Sequence, residues 1–515
     1  MATSEVGGQE RVRDEPCLSP ALLRRLRPGV RHPAFAPQAL RPGILHLGCG
    51  AFHRAHQALI TQHAIEAELA SSTRKDRLPP WGIVSTSLRS PDTVHALKPQ
   101  GGLYSVLERG ADRTRTQVVG TLCHLAFVPE ERETLAACFS HAAIRIVTLT
   151  VSVTGYCIDA TSHRLDPSRP EIQRDLRSDY PCSTVGVLVQ GLAQRRAAGL
   201  PPPVVLSCDN LSRNGDVVRR ACIDYAALSD DGLAQWIAAN VQFPNTVVDR
   251  IVPAVTEADR ADAFDALGVA DAAPVSAEPY RQWVIERFDG PRPRWDAAGA
   301  EFVADVGAWE ASKLRLLNGG HLALAYLGLL GGFDTVDRAI ADSRMLAFVR
   351  RFMLDEQCPT LPPSGHDVMA YAAQLVHRWR NPNIADSLLR VGRDGSAKLP
   401  ARLLASLRDN LQAQRPAPCT VLAVAAWMQC AAGPGSARPA GGLQDPLSDA
   451  LQRVGVMAGD DPQRLVDGLL ALPEIFGDDL PSHPLLRRDL CRAVDALQRH
   501  GVPGAIAACL SPYGA

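Results

Sequence analysis

No two cysteines in this chain stand in the C-x-x-C spacing, although thirteen are present. They are scattered singly, many beside apolar residues, as at Cys49, Cys157, Cys208 and Cys222. An odd number without a framework argues against a disulfide scaffold and for reduced, mostly buried thiols in a cytoplasmic protein. Zinc-type Cys/His spacing is also missing, so no metal site is expected. The chain lacks a run of about 18 apolar residues, the length that would read as a membrane span. Its most apolar stretch, residues 322–333, is too short, and Arg315 and His321 interrupt any extension of it. Net charge is nearly absent as well. A formal balance of −1 gives no general pull toward nucleic acid or an anionic membrane surface. The first 35 residues hold no continuous apolar core, and their arginines are accompanied by Glu and Asp, which argues against a secretory or transit segment.

What is there is ordinary globular material, 515 residues long, enough for two or three domains of roughly 100–200 residues each. A short leading helix is predicted at Leu18-Ser19-Pro20, with Ser at the cap and Pro at the first helical position. In the first half, short apolar runs alternate with helical stretches. Residues 43–47 (GILHL), 82–88 (GIVSTSL), 144–151 (IRIVTLTV) and 203–207 (PVVLS) read as buried strands, with helical patterns at 56–68 and 184–198. That alternation predicts an α/β fold with a parallel, doubly wound sheet. After Phe288 the stretch DGPRPRW signals a linker. Beyond it the Leu/Ala periodicity is helical to the C-terminus, broken by AAGPGSARPAGG at residues 431–442, which reads as a surface loop. The expected division is a Rossmann-type dinucleotide-binding domain at 1–295 and a mostly helical domain at 296–515.

The run ILHLGCGAFHRAH puts Gly48 and Gly50 at the end of the first strand. A strand, then G-x-G, then a helix lets backbone amides approach a pyrophosphate. The third glycine of the fingerprint is lacking, because position 53 is His53. By itself the pair is compatible with a plain tight turn. An acid normally reads the cofactor ribose at the end of the second strand. Here that place holds Ser87-Leu88-Arg89-Ser90, with no acid before Asp92. Arg89 suits a 2′-phosphate, or is simply a solvated strand end, so NAD and NADP both stay open.

The stretch WEASKLRLLNGGHLALAYLG, residues 309–328, sets Lys313, Asn318 and His321 into an otherwise apolar helix. Asn318 and His321 are three apart and so share a face; Lys313 lies two turns before His321, with Glu310 three residues ahead of it. Singly, these residues read as a snorkelling lysine, a capped amide and a hydrogen-bonded core histidine. Together they point to a shared polar cavity, since each unsatisfied group would cost on the order of 1–3 kcal/mol. A partly desolvated lysine there would serve as a general base. Gly319 and Gly320 are expected to weaken the helix and admit a ligand close to the backbone. A second polar cluster, SCDNLSRNG at 207–215, follows a strand at the edge where α/β ligand sites form. Asn210 there is either an amide donor to a ligand or part of an Asx turn.

Six segments in fixed order carry a resemblance: GILHLGCGAFHRAHQA, VVLSCDNLSRNGDVVRRA, FPNTVVDRIVP, EPYRQWVIERF, WEASKLRLLNGGHLALAYLG and GRDGSAKLP. The sequence is similar to the mannitol dehydrogenase family of polyol-specific long-chain dehydrogenases. The resemblance implies a Rossmann-type domain followed by a helical domain, with the active site between them. It also implies metal-independent hydride transfer between NAD, with NADP allowed, and a polyol or its keto-sugar. By motif, the family's catalytic lysine falls on Lys313, its asparagines on Asn210 and Asn318, and its histidine on His321. Asp249, Arg390 and Lys398 fall on substrate or cofactor contacts, and Gly48, Gly50 and Phe52 on the cofactor turn. One departure stands out: Val153 and Thr154 occupy the place of the family's Glu-Lys before Gly155-Tyr156.

The expected partner is a small-molecule polyol or keto-sugar of the mannitol/fructose or arabinitol/xylulose type. No nucleic acid and no membrane are expected, and a monomer suffices. A hexuronate reductase acting on fructuronate or tagaturonate is the nearest alternative, because Arg390 and Lys398 also suit a carboxylate. A non-catalytic metabolite-binding protein on the same scaffold is the alternative from another class.

Overall fold

The computed structural model describes residues 16–72, 78–151, 153–159, 162, 164–363, 365–434 and 442–511. The loop expected at 431–442 therefore lies mostly outside the described residues. The chain divides into two compact units, Met1–Val306 and Gly307–Ala515.

The first unit is built on a parallel sheet. Its strands are β1 (Pro42–Leu47), β2 (Gly82–Ser87), β5 (Leu122–Phe127), β6 (Ile146–Leu149) and β7 (Val204–Ser207), in the order β5-β2-β1-β6-β7. The order reverses between β1 and β6, the switch point of a doubly wound sheet. Neighbouring residues on these strands enter opposite cores. Ile44, Ile83, Ile146 and Leu206 pack on one face with Trp81, Trp283 and Trp295. Leu45, Val84, Val147 and Val205 pack on the other, against the helices Thr184–Ala197 and Asn214–Ala227. Burial on both faces is why these strands read as unbroken apolar runs rather than alternating ones.

Among the described residues the unit also holds two smaller three-stranded sheets. One joins β3 (Tyr104–Arg109) to β4 (Thr114–Val119) antiparallel and to β9 (Val275–Ala277) parallel. The other joins β8 (Thr246–Asp249) antiparallel to β10 (Gln282–Glu286), which pairs parallel with β11 (Glu301–Val303). Near the start, Ser19 takes the cap position and Pro20 the first turn, but the element is a 3-10 helix, Pro20–Arg25, without a side-chain cap bond.

In the second unit the described elements are helical. At its centre the helix Gly319–Leu330 is buried along residues 322–328 and packs on Pro418–Ala432, which in turn packs on the terminal helix Pro484–Leu510. Among the described residues three segments are π-helical: Lys313–Asn318, Phe352–Gln357 and Pro400–Leu404. The first packs against both of the others.

Candidate active site

In the first unit the candidate residues Gly48, Gly50, Phe52, Arg89 and Asn210 follow the carboxyl ends of β1, β2 and β7 of the parallel sheet. Gly48 leaves β1 with φ +107, and a Cβ there would lie 2.1 Å from the Thr150 carbonyl oxygen just beyond β6. Only glycine fits this turn, because both the backbone angle and the approach forbid a side chain. Gly50 is different: its φ is −84, and an added Cβ would meet nothing closer than 3.9 Å. The first glycine is thus demanded by the fold. The second keeps open space beside the backbone, which a bound phosphate group can use.

The missing third glycine is filled by His53. Its ring is buried and lies flat on His46, with centroids 3.3 Å apart and planes 9° apart. His46 bonds Thr148 Oγ1 at 2.8 Å and the Gly48 carbonyl at 2.7 Å. Burial pulls its imidazole down to about 3, so the ring is neutral. Phe52, half-buried, stacks on His56 at 5.1 Å. Arg89 is exposed just past the end of β2.

At the end of β7, Asp209 accepts from the Val151 amide at 3.0 Å and from the Tyr156 hydroxyl at 2.6 Å. It therefore braces the β7 end against the chain leaving β6, rather than only closing a local turn. Asn210, next in sequence, is exposed. Asn214 is the hub of this region: fully buried, it donates to the Asp209 and Thr246 carbonyls at 3.1 and 3.0 Å and accepts from the Thr246 amide at 2.9 Å. The start of β8 is thereby fastened to the end of β7. Asp249, buried, closes β8. The next residue, Arg250, is buried against Glu108 at 2.7 Å. The Val153 and Thr154 departure falls in a 3-10 turn, Val153–Tyr156, in which Thr154 is exposed; the Val153 side chain lies outside the described residues.

In the second unit the opening α-helix, Gly307–Ser312, gives way at Lys313 to the π segment that ends at Asn318. The Gly319 amide donates to the Leu314 carbonyl, five residues back. In a regular α-helix two residues five apart diverge by about 140°. The wider π turn returns such a pair to one face, and π-bulges of this kind concentrate at functional sites. Lys313 is therefore one π turn from Asn318, not offset as regular helical spacing predicts. Lys313, Asn318 and His321 are half-buried, while Leu316, Leu317, Gly319, Gly320 and Leu322 are buried. The three residues are each partly exposed, unlike the buried ones between them, although the His321 Nε2 atom is itself buried.

The expectation for the two glycines is corrected. Gly319 admits the Arg402 carbonyl oxygen, which would stand 2.8 Å from a Cβ, and Gly320 admits the Trp379 indole at 2.6 Å. Both make room for the protein itself. The same indole tilts against the His321 ring at 5.3 Å.

Arg390 is held by Asp386 through Nε at 3.0 Å and Nη2 at 2.5 Å. Lys398 donates to the Arg393 carbonyl and stands 3.9 Å from Asp394. Burial, then the cations Arg402, Arg393 and Arg390 against the opposing Asp394, pull its amine down to about 8. Arg402 is itself held below the usual guanidinium range by burial. Among the described residues, no three His, Cys, Asp or Glu side chains are grouped to hold a metal ion, and no helix is long and apolar enough to cross a membrane.

Sequence reasoning missed His46, Tyr156 and Asn214. His46 precedes the glycines by two residues, and its position on a doubly buried strand was the available signal. Nothing in the pattern NGDVV distinguishes a buried Asn214 from a turn residue.

Comparison with known proteins gives the family. The profile of the mannitol dehydrogenase Rossmann domain matches residues 42–297, and that of the mannitol dehydrogenase C-terminal domain matches 305–498. The D-mannonate oxidoreductase of Escherichia coli (strain K12) is 41% identical over 463 residues, 88% of this chain and 93% of the relative. A mannitol 2-dehydrogenase of Pyrenophora tritici-repentis is 35% identical over 481 residues, 92% of this chain and 82% of the relative. The solved ternary complex of Pseudomonas fluorescens mannitol 2-dehydrogenase with NAD and D-mannitol superposes with a TM-score of 0.81 at 36% identity, covering 96% of this chain and 99% of that one. With both domain profiles matched in order and relatives above 30% identity over most of its length, this chain belongs to the mannitol dehydrogenase family.

Proposed function

We propose that this oxidoreductase uses NAD(P) to interconvert an acyclic sugar acid of the mannonate type and its 2-keto or 5-keto partner. The observation that carries the reading is the surplus of positive charge around Lys398. Arg390, Arg393, Lys398 and Arg402 lie within one short segment; Asp386 holds Arg390, Asp394 stands beside Lys398 and Asp445 accepts from Ser396, so four cations face three carboxylates. A surplus of cations at a site suits an anionic substrate. The greater identity to a D-mannonate oxidoreductase than to the mannitol 2-dehydrogenases supports the same reading. The mannitol complex of the Pseudomonas enzyme favours a second reading, a neutral polyol such as mannitol.

The residues at the glycine turn fit a dinucleotide. Gly48 is locked in place by the fold and Gly50 keeps backbone space open at the switch point. NAD(P), when bound, supplies the acceptor or donor of the hydride. Lys313, neutral, takes the proton of the alcohol on oxidation and returns it on reduction. Asn318 and Asn210 donate hydrogen bonds to the oxygen that gains charge. His321 orients a neighbouring substrate hydroxyl. Support for these roles comes from the π turn that brings Lys313 and Asn318 to one face. No metal enters the scheme. NAD is the proposed partner, with Arg89 leaving room for NADP, and the free thiols suit a cytosolic location.

A substrate panel tests the reading. Mannonate, mannitol, arabinitol and sorbitol are each incubated with NAD and with NADP, and reduced cofactor is followed by absorbance. Mannonate should give the highest kcat/KM. Oxidation of mannitol without mannonate would establish the second reading. Cofactor binding with no turnover on any substrate would point to a non-catalytic binder.

A further inference from the structure

The Gly48 carbonyl, at the centre of the cofactor turn, accepts from three donors: His46 Nε2 at 2.7 Å, Thr150 Oγ1 at 2.8 Å and the Gly50 amide at 2.6 Å. On the other side of the turn, the Gly48 and Cys49 amides both donate to the Thr86 carbonyl, at 2.9 and 3.1 Å. The turn is thus tied to β2 through Thr86 and to the β6 end through Thr150. His46 connects these ties. It reaches Thr148 and Thr150 as well as Gly48, and the flat His53 ring closes its other face. A neutral imidazole with its proton on Nε2 satisfies the arrangement, donating to Gly48 and accepting from the Thr148 hydroxyl.

We infer that His46 is a positioning residue for the dinucleotide, acting through the Gly48 carbonyl. The physical reason is the sign of the dipole. A carbonyl oxygen free to turn outward at this place would repel a pyrophosphate, whereas one engaged by three donors faces into the protein. His46 touches neither substrate nor reacting atoms, so its effect belongs to cofactor affinity and not to the proton step. The inference rests on the dinucleotide reading above.

The two nitrogens of the ring allow a discriminating test. In His46→Gln the side-chain amide can reach where Nε2 stood and still donate to Gly48. In His46→Asn it can reach only where Nδ1 stood, toward Thr148. Both place a polar group in the same buried position. Dissociation constants for NADH and NADPH are measured by fluorescence, with thermal stability and steady-state kinetics alongside. His46→Asn should raise the dissociation constant and the cofactor KM about tenfold, the order expected for one lost hydrogen bond, and kcat at saturating cofactor should change less than twofold. His46→Gln should restore most of the affinity. Thr150→Val, which removes another donor to the same carbonyl, should weaken binding in the same direction and keeps the test open if His46→Asn does not fold. Equal cofactor affinity in His46→Asn, His46→Gln and wild type would overturn the inference alone. Failure of the wild type to bind either cofactor would overturn the dinucleotide reading and this inference with it.

Discussion

Gly320 stands against the indole of Trp379 so closely that a Cβ would come within 2.6 Å of the ring. The same indole lies 5.3 Å from the ring of His321. The glycine lets the helix settle onto Trp379, and Trp379 then forms the shelf beside His321. Position 320 is thus tied, through Trp379, to His321, the proposed substrate contact, without carrying a side chain.

Gly320→Ala sets two effects against each other. Alanine favours a helix interior by roughly 0.5–1 kcal/mol, but forcing a methyl into a packed ring typically costs about 1–3 kcal/mol. The clash wins, so Tm should fall, and substrate KM should rise as the Trp379 shelf shifts under His321. A melting curve with steady-state kinetics checks both; an unchanged Tm would mean that the helix accommodates the methyl.

Asn318→Ala removes a proposed donor to the oxygen that gains charge, worth roughly 10²–10³-fold in turnover. His321→Ala should raise KM at least as much as it lowers kcat if the imidazole has the proposed role of orienting a substrate hydroxyl. Parallel kinetics of the two variants should separate the roles; the same kcat and KM pattern in both would merge them.

How much of this was open to a reader of the sequence depends on what each residue's signal records. Pairs such as Ile44 with Leu45 and Ile146 with Val147 feed two cores at once, so the central strands leave unbroken apolar runs that are hard to mistake. β4 leaves a weaker trace, because Thr114 and Arg115 are exposed while Val118 and Val119 are buried. The π turn leaves almost none. The Leu/Ala pattern of residues 313–322 is the same for an α-helix, and what accompanies the wider turn is distant: the Arg402 backbone against Gly319, and Arg315 held by the Thr360 carbonyl at 2.6 Å and Asp409 at 2.7 Å. The family motif proposes Lys313, Asn318 and His321 without needing that geometry. It was silent on His46 and Asn214, whose roles exist only once β6 and β8 are folded beside them.

Lys398 gives the sugar-acid reading a pH signature. With its amine drawn down to about 8 by burial and by Arg402 beside it, it is charged below that pH and neutral above it. A substrate carboxylate binds the charged form. The KM for mannonate should therefore rise as pH passes through about 8, while the KM for mannitol changes little. Lys398→Met should flatten the mannonate profile; an unchanged profile would remove Lys398 from carboxylate binding.

Arg89, exposed after β2, should govern cofactor choice. Arg89→Asp places an acid where it repels a 2′-phosphate and can accept from a 2′-hydroxyl. kcat/KM with NADP should drop more than with NAD. An equal response of both cofactors would place Arg89 away from the ribose.

The most direct test of the whole account is the pH profile of kcat/KM for alcohol oxidation, measured for wild type and Lys313→Ala on the best substrate of the panel. The wild type should rise through the pKa of the lysine. Lys313→Ala should lose that limb and about 10²–10⁴-fold in rate, the usual contribution of a general base, and added primary amines should restore part of it. A Lys313→Ala protein that folds with unchanged Tm, keeps near-wild-type turnover and shows the same profile would contradict the account, leaving Lys313 as a lysine that only reaches for solvent from an apolar helix.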